Sequence, residues 1–341
     1  SGAIPTEHTY CIMMSAYARQ KRLSKALDWF LISREHYRPS PVPFTILVQL
    51  FSSLGMLKEA IRLYDTLRFY ETVPDKMLVN AILRNCARLG DEETASQIFV
   101  QSHKKYGLEP DWLTFRAMID VGARSGNIKL AFKYFIMLQQ YGYEYNDHVV
   151  SSMVLAIQKH RQSSVMESHF NRMFDIIEES GIKLHSSLFH PAFQKLTKYF
   201  RSPDCSALLI EMLHKRTGKP HDHVLLYYAL LNAASTNELS SVKVLLPLAL
   251  QDGSESASRT LTDFLFFLFR DKDDSEMLQY TLKLAEEYKV PRTIGLQNVL
   301  MSLAINRGES HRVRTLYNDL EKLGMSPTAG TYTLYLKALV L

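Results

Sequence analysis

The sequence predicts an all-α protein: a right-handed α-solenoid of about nine helix-turn-helix repeats plus a partial tenth. Three observations predict it. The first is the pattern of Gly107 to Asp147, where Phe115, Met118, Ile119 and Gly122 share one helical face and Ile128, Ala131, Phe132, Phe135 and Leu138 share another. Between them Ser125-Gly126-Asn127 forms a turn, and Gly142 is placed to close the second helix in the left-handed conformation. The second observation is recurrence, because the same two-helix pattern returns at intervals of 34 to 39 residues along the chain. The third is punctuation, since Pro39, Pro74, Pro110, Pro220, Pro291 and Pro327 each close one unit before a polar residue able to cap the next helix.

Taken in order, the units start at His8, Val42, Met77, Leu113, His148, Ser187, His223, Arg259, Ile294 and Gly330. They form one array over residues 1–341, degenerate over 148–290. An alanine stands 18 residues after each of the first four starts (Ala26, Ala60, Ala95, Ala131), where a small side chain lets paired helices approach. Tyr64, Phe99, Phe135 and Tyr317 recur in the second helix and are expected in the core. The one long interval, from His148 to Ser187, contains His160-Arg161-Gln162-Ser163-Ser164, where a loop insertion is expected.

Composition limits the alternatives. Hydrophobic residues at 46% and charged residues at 22% are too apolar for disorder, and no apolar run is long enough for a membrane span. Three scattered cysteines, Cys11, Cys86 and Cys205, argue against a disulfide framework or a thiolate zinc site and fit a reducing compartment. Ser1-Gly2 reads as a processing or cloning scar. A net charge of +5 permits a polyanionic partner without requiring one, so the placement of charge matters more than its sum.

That placement is regular. Eleven residues after the starts stand Arg19, Ser53, Arg88, Arg124, Lys159, Lys198, Ala234, Arg270 and Ile305, six of them basic. Two readings are open. A row of cations at the repeat interval suits the phosphates of a nucleic-acid strand. Cations at helix C-termini also complement the helix dipole.

The chain resembles the pentatricopeptide repeat family. The resemblance rests on unit openings such as His8-Thr9-Tyr10, Leu113-Thr114-Phe115 and Gly330-Thr331-Tyr332, on Leu57-Lys58-Glu59-Ala60-Ile61-Arg62-Leu63-Tyr64, and on the Pro-Asp-like ends. It covers nearly the whole chain and is specific in the first four units and the last. No Trp-x-x-Leu-Gly opening of a tetratricopeptide repeat is present. The resemblance implies binding of single-stranded RNA (mRNA or rRNA) in a mitochondrion, with a plastid as the alternative, in RNA processing, stability or translation. It implies one base per unit, met by a first-helix residue and a unit-end residue. The first-helix positions are Cys11, Thr45, Asn80, Arg116, Ser151, His190, Leu226, Thr262 and Gln297. Their unit-end partners include Ser40, Asp75, Asp111, Asn146, His185, His221, Arg292 and Thr328. Thr45 with Asp75 is similar to pairs that prefer G, and Asn80 with Asp111 to pairs that prefer U. Val42, Met77 and Leu113 fall where the family sandwiches bases. Ser40, Asp75, Asp111, Asn146 and Thr328 are equally good N-caps, and one residue can serve both ends.

No enzymatic site, cofactor or metal is expected. Asp271-x-Asp273-Asp274 sits at an inter-helix turn and suits solvation and capping, and His221-x-His223 lacks a third ligand. The second functional reading is a protein-interaction scaffold, a subunit of a mitochondrial ribosome or RNA-processing complex. Leu226, the apolar run Leu261 to Phe269, and the face of Tyr332, Tyr335, Leu336 and Leu339 in the tenth unit favour it.

Overall fold

The computed structural model describes residues 5–160, 162–200, 202–218, 222–236, 238–251, 255–271 and 275–340. They form helices throughout, with no strand among the described residues. The chain divides into two compact units, Ser1–Lys183 and Leu184–Leu341.

The N-terminal unit holds five helix pairs. They are α1 (Glu7–Arg19) with α2 (Leu23–His36), and α3 (Pro41–Ser53) with α4 (Leu57–Thr66). Next come α5 (Lys76–Leu89) with α6 (Glu92–Lys104), and α7 (Trp112–Ser125) with α8 (Ile128–Gln140). The last pair is α9 (Asp147–Ile157) with α10 (Ser163–Glu179). First helices stack on first helices, α1 on α3, α3 on α5, α5 on α7 and α7 on α9, so one side chain per turn recurs along one row. Ala26, Ala60, Ala95 and Ala131 are fully buried where the helices of each pair meet. Tyr64, Phe99 and Phe135 lie in the core, while Tyr317 is half-buried and stacks on Tyr335 at 4.3 Å.

Pairing is tightest in the fourth repeat. A Cβ added to Gly122 on α7 would meet the backbone nitrogen of Ala131 on α8 at 2.7 Å. Only a glycine admits the backbones that close. Gly126 and Gly142 end α7 and α8 with φ of 84° and 81°, as the left-handed closure requires.

The C-terminal unit opens with a broken helix: a 3₁₀ turn (Ser186–Phe189), α11 (His190–Lys195) and a π-turn (Leu196–Phe200). Its partner is α12 (Pro203–Thr217). Then follow α13 (His223–Thr236) with α14 (Leu239–Leu250), and α15 (Glu255–Asp271) with α16 (Ser275–Glu287). The unit ends with α17 (Ile294–Asn306), α18 (Ser310–Lys322) and an unpaired α19 (Ala329–Val340). The first helices again stack in sequence, α11 on α13, α13 on α15, α15 on α17 and α17 on α19. Leu261, Phe264, Leu265 and Leu268 of that apolar run are buried inside the unit, while Phe266 is 60% exposed. Cys11, Cys86 and Cys205 are free and buried, and burial pushes the Cys86 and Cys205 thiols up to about 12.

The connection from α9 to α10 is longer, residues 158–162 against 126–127 between α7 and α8, but α9 is three residues shorter than α7, and Arg161 of the expected insertion lies outside the described residues. Like α8 from Leu113, α10 begins 15 residues after the repeat start, but it runs 17 residues where α8 runs 13. Four residues add about one helical turn, which keeps the hydrophobic face in phase and buries Phe170, Met173, Phe174 and Ile177.

Candidate nucleic-acid interface

The interface is set by the N-cap of each first helix. Ser40, Asp75, Asp111 and Asn146 all cap, their side chains accepting from the backbone amides of Val42, Leu78, Thr114 and Val149. Each cap starts a fixed count. Two residues on stand Val42, Met77 and Leu113, which are 48%, 66% and 36% exposed although apolar. Five residues on stand Thr45, Asn80, Arg116 and Ser151.

The expected pair of Asn80 and Asp111 meets directly. The Asn80 amide donates to both Asp111 carboxylate oxygens at 3.1 and 3.2 Å. Thr114 completes the network, its hydroxyl lying 2.7 Å from the Asn80 carbonyl oxygen and 2.9 Å from Asp111. A first-helix side chain of one repeat is thus tied to the cap of the next. Thr45 and Asp75 do not share such a bond. The Thr45 hydroxyl donates to the Pro41 carbonyl at 3.2 Å, and Asp75 accepts from Leu78 at 2.8 Å. Arg116 lies 3.9 Å from Asp120, and its Nε is buried without a hydrogen-bond partner. Ser151 is fully buried with its hydroxyl unpaired.

The same cap-to-next-repeat contact recurs in the C-terminal unit, one residue away from where the sequence spacing places it. Asp222, not His221, accepts from the amides at the start of α13, from Val224 at 2.9 Å and Leu225 at 3.3 Å. His190 Nε2 lies 3.3 Å from Asp222. Burial works against ionisation of Asp222. Hydrogen bonds from Ser186, His190 and the Leu225 amide nonetheless hold its carboxyl below the ordinary range. Counting from Asp222 puts Val224, 44% exposed, at the apolar position and half-buried Tyr227 at the base-facing one. Leu226, expected there, is buried. In the ninth repeat Thr293, not Arg292, caps α17. Asn298 then takes the base-facing position and bonds the next cap, Thr328, at 3.5 Å, with the Thr331 hydroxyl at 2.8 Å. Gln297, expected there, is buried and donates to the Leu316 carbonyl at 3.1 Å. Counting five residues from the first side chain able to cap gives Tyr227 and Asn298, where a count from the repeat start gives Leu226 and Gln297.

The basic row is exposed at Arg19, Arg88, Arg124, Lys159 and Lys198. Its members differ in what they touch. Arg88 donates to the Ser52 carbonyl at 3.2 Å, and Lys159 donates to the Arg124 carbonyl. Each therefore caps the C-terminus of the preceding repeat's first helix. Desolvation and the neighbouring Arg124 lower the Lys159 pKa. Arg19 and Arg124 have no side-chain hydrogen bond or ion pair to the described residues. The side chain of Arg270 and the Asp271-x-Asp273-Asp274 cluster lie outside the described residues, as does His221. Counted from the caps Asp222 and Thr293, the row continues as uncharged Ser235 and Asn306. Among the described residues no group of three or more His, Cys, Asp or Glu could hold a metal, and no helix is long and apolar enough to cross a membrane.

Family models match this geometry at the repeats that display it best. The PPR repeat model matches residues 8–35 and 42–68, and the pentatricopeptide repeat domain model matches 73–124. The first three repeats thus match models of the pentatricopeptide repeat family. It is similar to a putative pentatricopeptide repeat-containing protein of Arabidopsis thaliana, 28% identical over 172 residues, half of this chain and 30% of that one. A mitochondrial member from the same plant is 32% identical over 37% of this chain and 18% of its own length. A chloroplastic one is 27% identical over 36% of this chain and 28% of its own. The matches thus span less than a third of those relatives. Among solved structures, maize PPR10 superposes with a TM-score of 0.62 at 17% identity, over 98% of this chain and 47% of that one. PPR10 in complex with an 18-nt psaJ RNA element gives 0.52 at 16% identity, over 99% and 52%. At that identity the likeness is one of fold.

Proposed function

We propose that this chain binds single-stranded RNA in an organelle, without chemistry of its own, and acts in RNA processing, stability or translation. One observation carries the reading. At repeat junctions such as Asn80 to Asp111, His190 to Asp222, Ser258 to Thr293 and Asn298 to Thr328, a first-helix side chain bonds the cap of the following repeat. Exposed Met77 stands three residues before Asn80 in the first of these repeats. Paired polar groups beside an exposed apolar side chain form a surface that stacks a base and reads its edge. The RNA-bound state of PPR10 supports the same class of ligand. Thr45, Asp75, Asn80, Asp111, Arg116 and Asn146 would face bases, with Val42, Met77 and Leu113 between them, while Ser151, expected among them, is fully buried and does not reach the surface. Arg19 and Arg124, unpaired in the fold, would hold phosphates, and Arg88, Lys159 and Lys198 would do so from their junctions.

The test is salt-dependent binding of short single-stranded RNA. Replacing Arg19 and Arg124 together by Ala should weaken binding and reduce the slope of log K against log salt by about 1.4, at about 0.7 per phosphate. An unchanged slope overturns the cationic track. Binding of duplex as well as of single strands overturns the base-facing row.

A protein-interaction scaffold in an organellar ribosomal or processing complex is the second reading. The face of α19 favours it, since Tyr332, Leu336 and Leu339 are exposed although apolar. Crosslinking in the native organelle separates the two: a short single-stranded footprint supports the first, a broad rRNA footprint the second.

A further inference from the structure

The π-turn at Leu196–Phe200 interrupts a first helix where every described first helix of the N-terminal unit ends without one. A π-turn inserts a residue and widens the helix, and it persists where something holds it. Here the Thr197 hydroxyl lies 2.9 Å from both the Phe193 carbonyl and the Tyr228 carbonyl on α13, while Leu196 is fully buried. The turn is thereby fixed to the next repeat on one side. On the other it displays Lys198 and Tyr199, and Tyr199 is 66% exposed. The Lys198 ammonium sits 5.1 Å from the centre of the Tyr199 ring.

Two other neighbouring pairs make the same contact, Lys105 with Tyr106 and Lys133 with Tyr134. Their rings are not available. Tyr134 is buried against Phe99 at 5.0 Å, and Tyr106 is half-buried. Lys198 stands at the place that Arg88, Arg124 and Lys159 hold in their repeats. Tyr199 stands where those repeats carry Leu89, Ser125 and His160. An aromatic ring is therefore added to the cationic row at the one first helix, among the described residues, that is widened by a π-turn. An open ring on a pinned turn, with a mobile cation beside it, provides a stacking face and a phosphate contact together.

We propose that Tyr199 and Lys198 form a stacking site for one nucleobase of single-stranded RNA and its phosphate, apart from the base-facing row. The site rests on the proposed RNA binding. The test uses the full chain and a mixed-sequence pool of short single-stranded RNA carrying 5-iodouridine. Ultraviolet light should crosslink the RNA to Tyr199. Tyr199→Ala should weaken binding about 5- to 150-fold with the salt slope unchanged, and Tyr199→Phe and Tyr199→Trp should restore it. Lys198→Ala should instead lower the slope by about 0.7. If wild type binds RNA while Tyr199→Ala binds within about twofold of it, the site is wrong and RNA binding stands. If Tyr199→Phe fails to restore affinity, the hydroxyl acts rather than the ring, and stacking is overturned. If wild type binds no RNA but Tyr199 crosslinks to a protein partner in the organelle, both this site and the proposed function fall.

Discussion

The two units use the same junction differently. In the N-terminal unit Asn80 and Asp111 are closed into a network with Thr114, α1, α5 and α7 carry a basic residue in their last turn, and Gly122 lets α7 lie against the backbone of α8. In the C-terminal unit the corresponding contacts lie at 3.1 Å (Ser258 to Thr293), 3.3 Å (His190 to Asp222) and 3.5 Å (Asn298 to Thr328), with Ser186 also bonding Asp222 and the Thr331 hydroxyl also bonding Asn298. Its first helices begin with a 3₁₀ turn or a shifted cap, and the basic row gives way to Ser235 and Asn306. The interval from cap to base-facing residue stays at five in both, while the interval between repeats varies. A repeat tolerates added residues after its first helix has started, but not between the cap and the residue that meets the next cap.

Helix packing offers the largest test of this contrast. Ala233 and Ala304 hold in α13 and α17 the place of Gly122 in α7, counted from their caps. Gly122→Ala should destabilise the N-terminal unit by roughly 3 kcal/mol, because its Cβ meets backbone rather than a movable side chain. Ala304→Gly should cost the C-terminal unit only about 1 kcal/mol, the helix-propensity difference. Equal losses in thermal unfolding would remove the distinction in packing.

The junction network gives the next effect. Asp111→Ala removes a cap and leaves the buried Asn80 amide unpaired, for a loss of about 1.5 to 2 kcal/mol in chemical denaturation. Thr328→Ala removes a cap facing the half-buried Asn298 and should cost about 1 kcal/mol. If Thr328→Ala proves the more damaging, the stronger junction lies in the C-terminal unit.

Acid sensitivity gives the smallest. The folded-state pKa of Asp222 lies below its ordinary value of 3.8. Its contribution is therefore complete above that value and disappears as pH falls through the lower folded-state value. Asp222→Asn should melt below wild type at neutral pH and converge on it in strong acid. A gap that is constant with pH would mean the carboxylate charge does not matter there.

Much of this was legible in the residues. Ala26, Ala60, Ala95 and Ala131 marked the close helix pairs, and Asp75, Asp111 and Asn146 stood where caps are required. Asn80 and Asp111, paired through the family resemblance, do meet by a hydrogen bond. The places where spacing misled share one cause, which is that a repeat start counted by similarity does not weigh which side chain reaches an amide. His221 and Asp222 are adjacent, as are Arg292 and Thr293, and an N-cap selects a short acceptor over a longer cationic or aromatic side chain. That choice moves the position five residues after the cap from Leu226 to Tyr227 and from Gln297 to Asn298.

By itself the sequence determined the helix pairs, their order and the composition of each face, because periodicity, capping and proline punctuation act within a few residues. Only the tertiary structure decided that the residues added after His148 lengthen α10, that α11 passes into a π-turn, and that Arg88 and Lys159 are spent on neighbouring carbonyls while Arg19 and Arg124 stay unpaired. Those outcomes depend on the next repeat: whether a buried face stays in phase with it, and whether its carbonyls lie within reach.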